Sequence, residues 1–147
     1  MKNVQAPRKL NFKNSKKKNF VENAKNDLMK IKNSFIRIHD SGDFYSQAYL
    51  NNWIEIAGAF PKKTFYAYTK SIHLDFSRLP KNFKIVQSFG GLLDAEIDLK
   101  KPHAKVFNSD IELKAAGYLK SNETDFYAIE GKVKIGFVYH GTKKINV

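Results

Sequence analysis

Cysteine is absent from the 147-residue chain. That excludes disulfides, thiolate metal sites, cysteine ligation of an iron–sulfur centre and a cysteine nucleophile. It fits a reducing compartment, and a cytoplasmic location is the expectation. No run of about 18 apolar residues occurs, so no membrane span is expected and a membrane is not among the expected partners. The Lys- and Asn-rich N-terminus has no apolar core of the secretory type, so it does not read as a signal peptide. The sequence also lacks a P-loop, a G-x-G-x-x-G fingerprint, a G-x-S-x-G elbow and H-E-x-x-H.

What is present is enough apolar material for one packed interior: hydrophobic residues make up 42% and aromatics 14%. One α/β domain over residues 1–147 is expected, with residues 1–14 as an irregular arm. The net charge is +12 and lies mostly at one end. Residues 1–34 hold ten basic side chains against Glu22 and Asp27, a local net of +8. Such a segment suits a phosphate backbone or an acidic protein, although a solvated lysine face has the same composition. Lys13, Lys16, Lys17 and Lys18 are its candidate nucleic-acid contacts.

Along the chain, Lys16–Lys32 reads as a helix with Ser15 as its N-cap, and Phe20, Ala24, Leu28 and Ile31 fall on one stripe. Phe35–His39 is dense in β-formers and runs into the turn-rich Asp40-Ser41-Gly42-Asp43. Ser46 caps a second helix that reaches Phe60, where Pro61 stops it. Thr64–Thr69 is a second strand. Strand, helix, strand with short connections is a βαβ unit and implies parallel pairing. Lys84–Phe89, ending at Gly90-Gly91, is a third strand, and Ala104–Phe107 a fourth. Asp110–Ala116 reads as a short helix closed by Gly117. Phe126–Ile129 and Val133–Tyr139 read as strands. The expected fold is a small, mostly parallel sheet with βαβ units, a partial or half barrel, and an N-terminal basic helix.

In parallel α/β folds ligands sit beyond the carboxyl ends of strands. The first strand end supplies His39, Asp40, Ser41, Gly42 and Asp43. The second supplies Tyr68, Thr69 and Lys70, with Ser71 beyond them. The third supplies Gln87, Ser88, Gly90 and Gly91. If the strands are neighbours, these groups converge on one sheet edge. His39 with Asp40 and Asp43 suits a divalent metal or acid/base work, since imidazole titrates near neutrality. Asp ahead of a helix also caps turns with no chemistry at all. Trp53, Phe65, Tyr66 and Tyr68 read as core or pocket wall. His73, His103 and His140 stand far apart and read as structural or exposed.

The segment RIHDSGDFYSQAYLNNWIEIAGAFPKKTFYAYTKS, Arg37–Ser71, resembles the core signature of the phage "gene product 88" family. The likeness continues through LPKNFKIVQSFGG and, more loosely, KIGFVYHGTKK; NVQAPRKLNF and FVENAKNDL resemble the segment that precedes the signature. The resemblance implies a protein of phages and mobile elements, with an α/β fold like a compact radical S-adenosylmethionine half-barrel. Longer members begin with a cysteine cluster, which would lie upstream of Met1 here. No residue of this chain replaces it, so an iron–sulfur cluster is not supportable and the radical chemistry does not carry over. What does carry over is a set of pocket residues: His39–Asp43, Tyr68, Thr69, Lys70, Ser88, Gly90 and Gly91. Three readings compete. One is a cluster-less ligand-binding domain for S-adenosylmethionine or a similar small molecule. Another is a basic accessory protein that binds nucleic acid or a host or defence protein. The third is a metal-dependent hydrolase or nuclease built on His39, Asp40 and Asp43.

Overall fold

The computed structural model describes residues 2–141; Met1 and residues 142–147, the ends of the expected 1–147 domain, lie outside the described residues. The chain opens with two helices, α1 (Lys2–Ser15) and α2 (Phe20–Lys30). Then come β1 (Phe35–Arg37), α3 (Gln47–Ala59), β2 (Thr64–Thr69) and β3 (Phe83–Ser88). The second half contributes β4 (His103–Phe107), α4 (Asp110–Ala115), β5 (Leu119–Lys120), α5 (Phe126–Glu130) and β6 (Lys134–Val138). A short 3₁₀ turn covers Asp94–Glu96. The strands form one six-stranded sheet in the order β1-β2-β3-β4-β6-β5. Each adjacent pair is parallel, and the sheet curls into a half-barrel.

Alternation along β2 explains why both sheet faces are buried. Phe65 and Ala67 point to one face, where with Phe83 they pack on Leu28 of α2 and on Leu50, Ile56 and Ala57 of α3. Tyr66 points to the other face and joins Val86, Ala104, Ile135 and Ala128 of α5. A strand with period-2 side chains needs a layer on each side, as parallel sheets generally do. Each fully buried Phe or Leu in these layers contributes roughly 1.5–3 kcal/mol. A third cluster, Phe107, Leu113 and Val138, seats α4 on the far half of the sheet.

Side chains close the turns between these layers. Asn82 Nδ2 donates to the carbonyls of Ala57, Phe60 and Lys63, which finishes α3 where Pro61 cannot continue it. Lys63 Nζ donates to the carbonyls of Ile31 and Asn33 just past α2. Ser46 caps α3 as expected, its Oγ accepting from the Tyr49 amide at 3.1 Å.

Four expectations need correction. Residues 2–15 form a helix rather than an irregular arm, even with Pro7 inside it. Ser15 does not cap α2: its hydroxyl donates to the Phe12 carbonyl and bonds the Tyr45 hydroxyl, and α2 starts after Asn19. Ile31 falls past the end of α2 and is 44% exposed, off the stripe formed by Phe20, Ala24 and Leu28. Phe126–Ile129 is helical, not extended. Its Ala128 drops onto the sheet face of Tyr66, and Gly131 ends the helix at φ 72° in the left-handed region.

Candidate functional site

The chain leaves β1 in an unusual conformation. His39 is the one non-glycine among the described residues with positive φ, at 124°. Arg37 Nε donates to the His39 carbonyl at 3.2 Å and so fixes the bend. The imidazole packs edge-on against Phe44 at 4.7 Å, and its Nε2 meets the Tyr49 hydroxyl at 3.0 Å. Its Nδ1 is buried and has no hydrogen-bond partner. Burial lowers the His39 pKa, with Asp43 opposing, so the ring is neutral at pH 7. Burial likewise raises the Tyr49 phenol.

The rest of the strand-end segment divides by role. Asp40 and Ser41 are exposed, and Gly42 turns at φ 94°. Asp43 is a tie. One carboxylate oxygen accepts from the Phe44 amide at 2.7 Å and from the Thr69 hydroxyl. The other accepts from the Lys70 amide at 2.7 Å. Ser71 Oγ adds a bond to the Phe44 carbonyl. These contacts pin the loop after β1 to the end of β2.

A cleft of about 800 Å³ opens beside this loop. The segment Arg37–Asp43 forms one wall, with Tyr45 just ahead of α3 and Tyr49 and Trp53 on it. The opposite wall comes from α1, through Arg8, Asn11, Phe12 and Asn14, and from α2, through Phe20 and Asp27. Tyr45 stacks on Tyr49 with ring centres 4.4 Å apart and planes 10° apart. Phe12 meets Tyr45 edge-on at 5.1 Å, and Lys16 Nζ lies 4.0 Å above the Phe12 ring. Trp53 Nε1 is buried and approaches the Tyr49 hydroxyl without forming a hydrogen bond.

Tyr68, Thr69, Lys70, Ser88, Gly90 and Gly91 are not among the residues that line this cleft. Their polar groups serve one another. Asp94 accepts from the amides of Gly90 and Gly91, which holds its carboxyl below the usual range. Lys70 Nζ donates to the Gly90 carbonyl at 3.2 Å. Ser88 Oγ lies 3.5 Å from the Phe89 carbonyl, and Gln87 clasps Asp98 through both its amide atoms. Tyr68 belongs to a second network on the opposite sheet face. There Asp125 accepts from Arg37 at 3.1 Å and Tyr66 at 2.9 Å, and Tyr68 stands 3.5 Å away. Burial, reinforced by Asp125, raises the Tyr66 phenol to about 12 and pushes Tyr68 up as well.

Three findings concern the remaining candidates. His39, Asp40 and Asp43 do not assemble as a metal-ligand set, and no group of three His, Asp or Glu side chains does so among the described residues. His103 is fully buried with both ring nitrogens occupied, by the Lys101 carbonyl and the Tyr118 hydroxyl. Lys13, Lys16, Lys17 and Lys18 are exposed and form no ion pair among the described residues. Sequence reasoning missed Arg8, Asn11 and Tyr45 because their signal is purely spatial: residues 8–15 meet residues 37–53 only in the fold.

No helix among the described residues is long and apolar enough to cross a membrane. Neither a curated protein nor a solved structure matches the chain. The family model described as gene product 88 matches residues 1–145, and with the strand-end signature and parallel half-barrel in place, the chain belongs to the gene product 88 family.

Proposed function

We propose that this protein binds a nucleoside-type small molecule in the cleft between α1 and the carboxyl end of β1, with S-adenosylmethionine as the first ligand to try. The observation that carries the reading is the composition of the cleft wall. Flat aromatic faces (Tyr45, Phe12, Trp53) stand beside a guanidinium group (Arg8), side-chain amides (Asn11, Asn14) and carboxylates (Asp27, Asp40). That mixture suits a ligand with a planar heterocycle and charged ends, and about 800 Å³ is within the usual range for such sites. An iron–sulfur cluster does not fit these residues, because the chain offers no thiolate. No reaction step is assigned to the cleft; binding is the activity proposed.

Calorimetry and thermal shift with S-adenosylmethionine and S-adenosylhomocysteine test it. The expected result is measurable heat and a raised melting temperature. Tyr45→Ala should weaken binding roughly tenfold or more, since base–aromatic stacking is worth about 1–3 kcal/mol. No heat and no thermal shift with either compound would overturn the reading.

A second reading has its own observation. Lys13 at the end of α1 and Lys16, Lys17 and Lys18 in the turn before α2 are exposed, form no ion pair among the described residues, and present a cationic face. Binding of DNA or RNA there should weaken steeply with salt. It fails if the triple change Lys16→Ser, Lys17→Ser and Lys18→Ser leaves such binding intact.

A further inference from the structure

We infer that His39 carries its single proton on Nδ1, and that this N–H is the donor that selects a ligand presenting a hydrogen-bond acceptor to the cleft wall. The inference rests on the reading of the cleft as a binding site and adds the polarity of one contact within it.

Two local rules are broken at the same residue. An imidazole-bearing residue sits at φ 124°, a conformation that costs about 1–3 kcal/mol outside glycine. One of its ring nitrogens is buried with no partner, although buried polar groups are paired almost without exception. Neither is needed to cap α3, which Ser46 does, or to pin the loop, which Asp43 does. Ordinary packing would have been served by a smaller apolar residue or by glycine. Coincident violations at a cleft wall mark a residue held for its chemistry.

The tautomer follows from the neighbours. The Tyr49 hydroxyl has one hydrogen to donate, and His39 Nε2, 3.0 Å away, is the group beside it that is able to accept one. Trp53, the other polar group beside that hydroxyl, is a donor only. Were Nε2 to carry the proton, the buried Tyr49 hydroxyl would lose its acceptor. The phenol therefore donates, Nε2 accepts, and the proton of the neutral ring lies on Nδ1. Asp43 and Tyr49 are the titratable groups near the ring, and Arg37 holds its backbone carbonyl. The Asp43 carboxylate is turned to the Phe44, Thr69 and Lys70 donors and makes no hydrogen bond to Nδ1. What Nδ1–H lacks is an acceptor: a carbonyl, a ring nitrogen or a carboxylate oxygen. Nδ1 is shielded from water while His39 itself lines the cleft, so a ligand must displace part of the wall to reach it. Among the described residues the α1 wall contributes to none of the buried clusters, and it is latched through Phe12 and Ser15 to Tyr45.

The test has two arms. Ring ¹⁵N spectra of the full chain, labelled at histidine and assigned with His39→Asn, read the tautomer with no ligand present. The expected result is protonated Nδ1 and bare Nε2 at His39; the reverse pattern overturns the inference. Calorimetry with S-adenosylhomocysteine reads the contact. His39→Leu, which removes the donor, should weaken binding roughly tenfold, while His39→Asn, which keeps an N–H and tolerates positive φ, should stay within about threefold. Equal binding by wild type and His39→Leu also overturns it. If wild type binds no nucleoside, the proposed function falls, and the spectra still decide the tautomer.

Discussion

At the scale of single residues, Asp43 and His39 divide the work of the strand end. Asp43 accepts three hydrogen bonds, two of which tie the loop to the end of β2. Asp43→Ala should lower unfolding stability by about 2–4 kcal/mol, because it strips charge-assisted bonds and leaves donors unpaired; urea denaturation measures it. His39 gives a pH signature. Its folded pKa is lowered from the usual 6.5, so below that pH the unfolded chain takes up a proton that the folded chain resists. Stability should fall as pH drops below about 6.5, until the folded ring titrates too, and His39→Asn should flatten that fall. A pH–stability profile identical in the two proteins would contradict the assignment. The sequence made this tetrad visible because Asp, Ser and Gly at a strand end are a turn signal. It could not say which member turns, which ties and which is left unpaired, since those roles depend on Tyr49 and Thr69.

At the scale of elements, legibility followed locality. Thr64–Thr69 has the bounds read from sequence because alternating β-formers lie between a Pro-stopped helix and a polar turn. The cap at Ser46 was legible for the same reason. Phe126–Ile129 has strand-forming residues yet folds as a helix, because the sheet face of Tyr66 and Val86 needs a cover and Ala128 supplies it. Tertiary packing overrides propensity in so short a segment. The two-residue strand β5 is below what any periodicity can mark. Close packing of α4 on β6 yields a sharper test. A Cβ at Gly136 would stand 2.6 Å from Leu113 Cδ1 and 3.0 Å from Tyr118 Cβ. Gly136→Ala should therefore destabilise by about 1–3 kcal/mol. Leu113→Ala should cost less in that background than in wild type, the non-additivity expected of residues in contact.

At the scale of the whole molecule, a parallel half-barrel carries two N-terminal helices, α2 seated on the core and the basic α1 outside it, and the cleft lies between α1 and the end of β1. The fold class was readable from the βαβ pattern. The cleft was not, because it depends on α1 docking through Phe12 and Ser15 onto Tyr45. The polar groups at the second and third strand ends are held by Asp43, by Asp94 and by one another, and the proposed ligand cleft lies at the first strand end and the helical wall. Chemical-shift mapping of the labelled full chain during titration with S-adenosylhomocysteine tests that claim most directly. The account predicts saturable shifts confined to His39, Tyr45, Tyr49, Trp53 and the facing residues of α1. No shifts, or shifts centred on Lys70, Gly90 and Gly91, would contradict it.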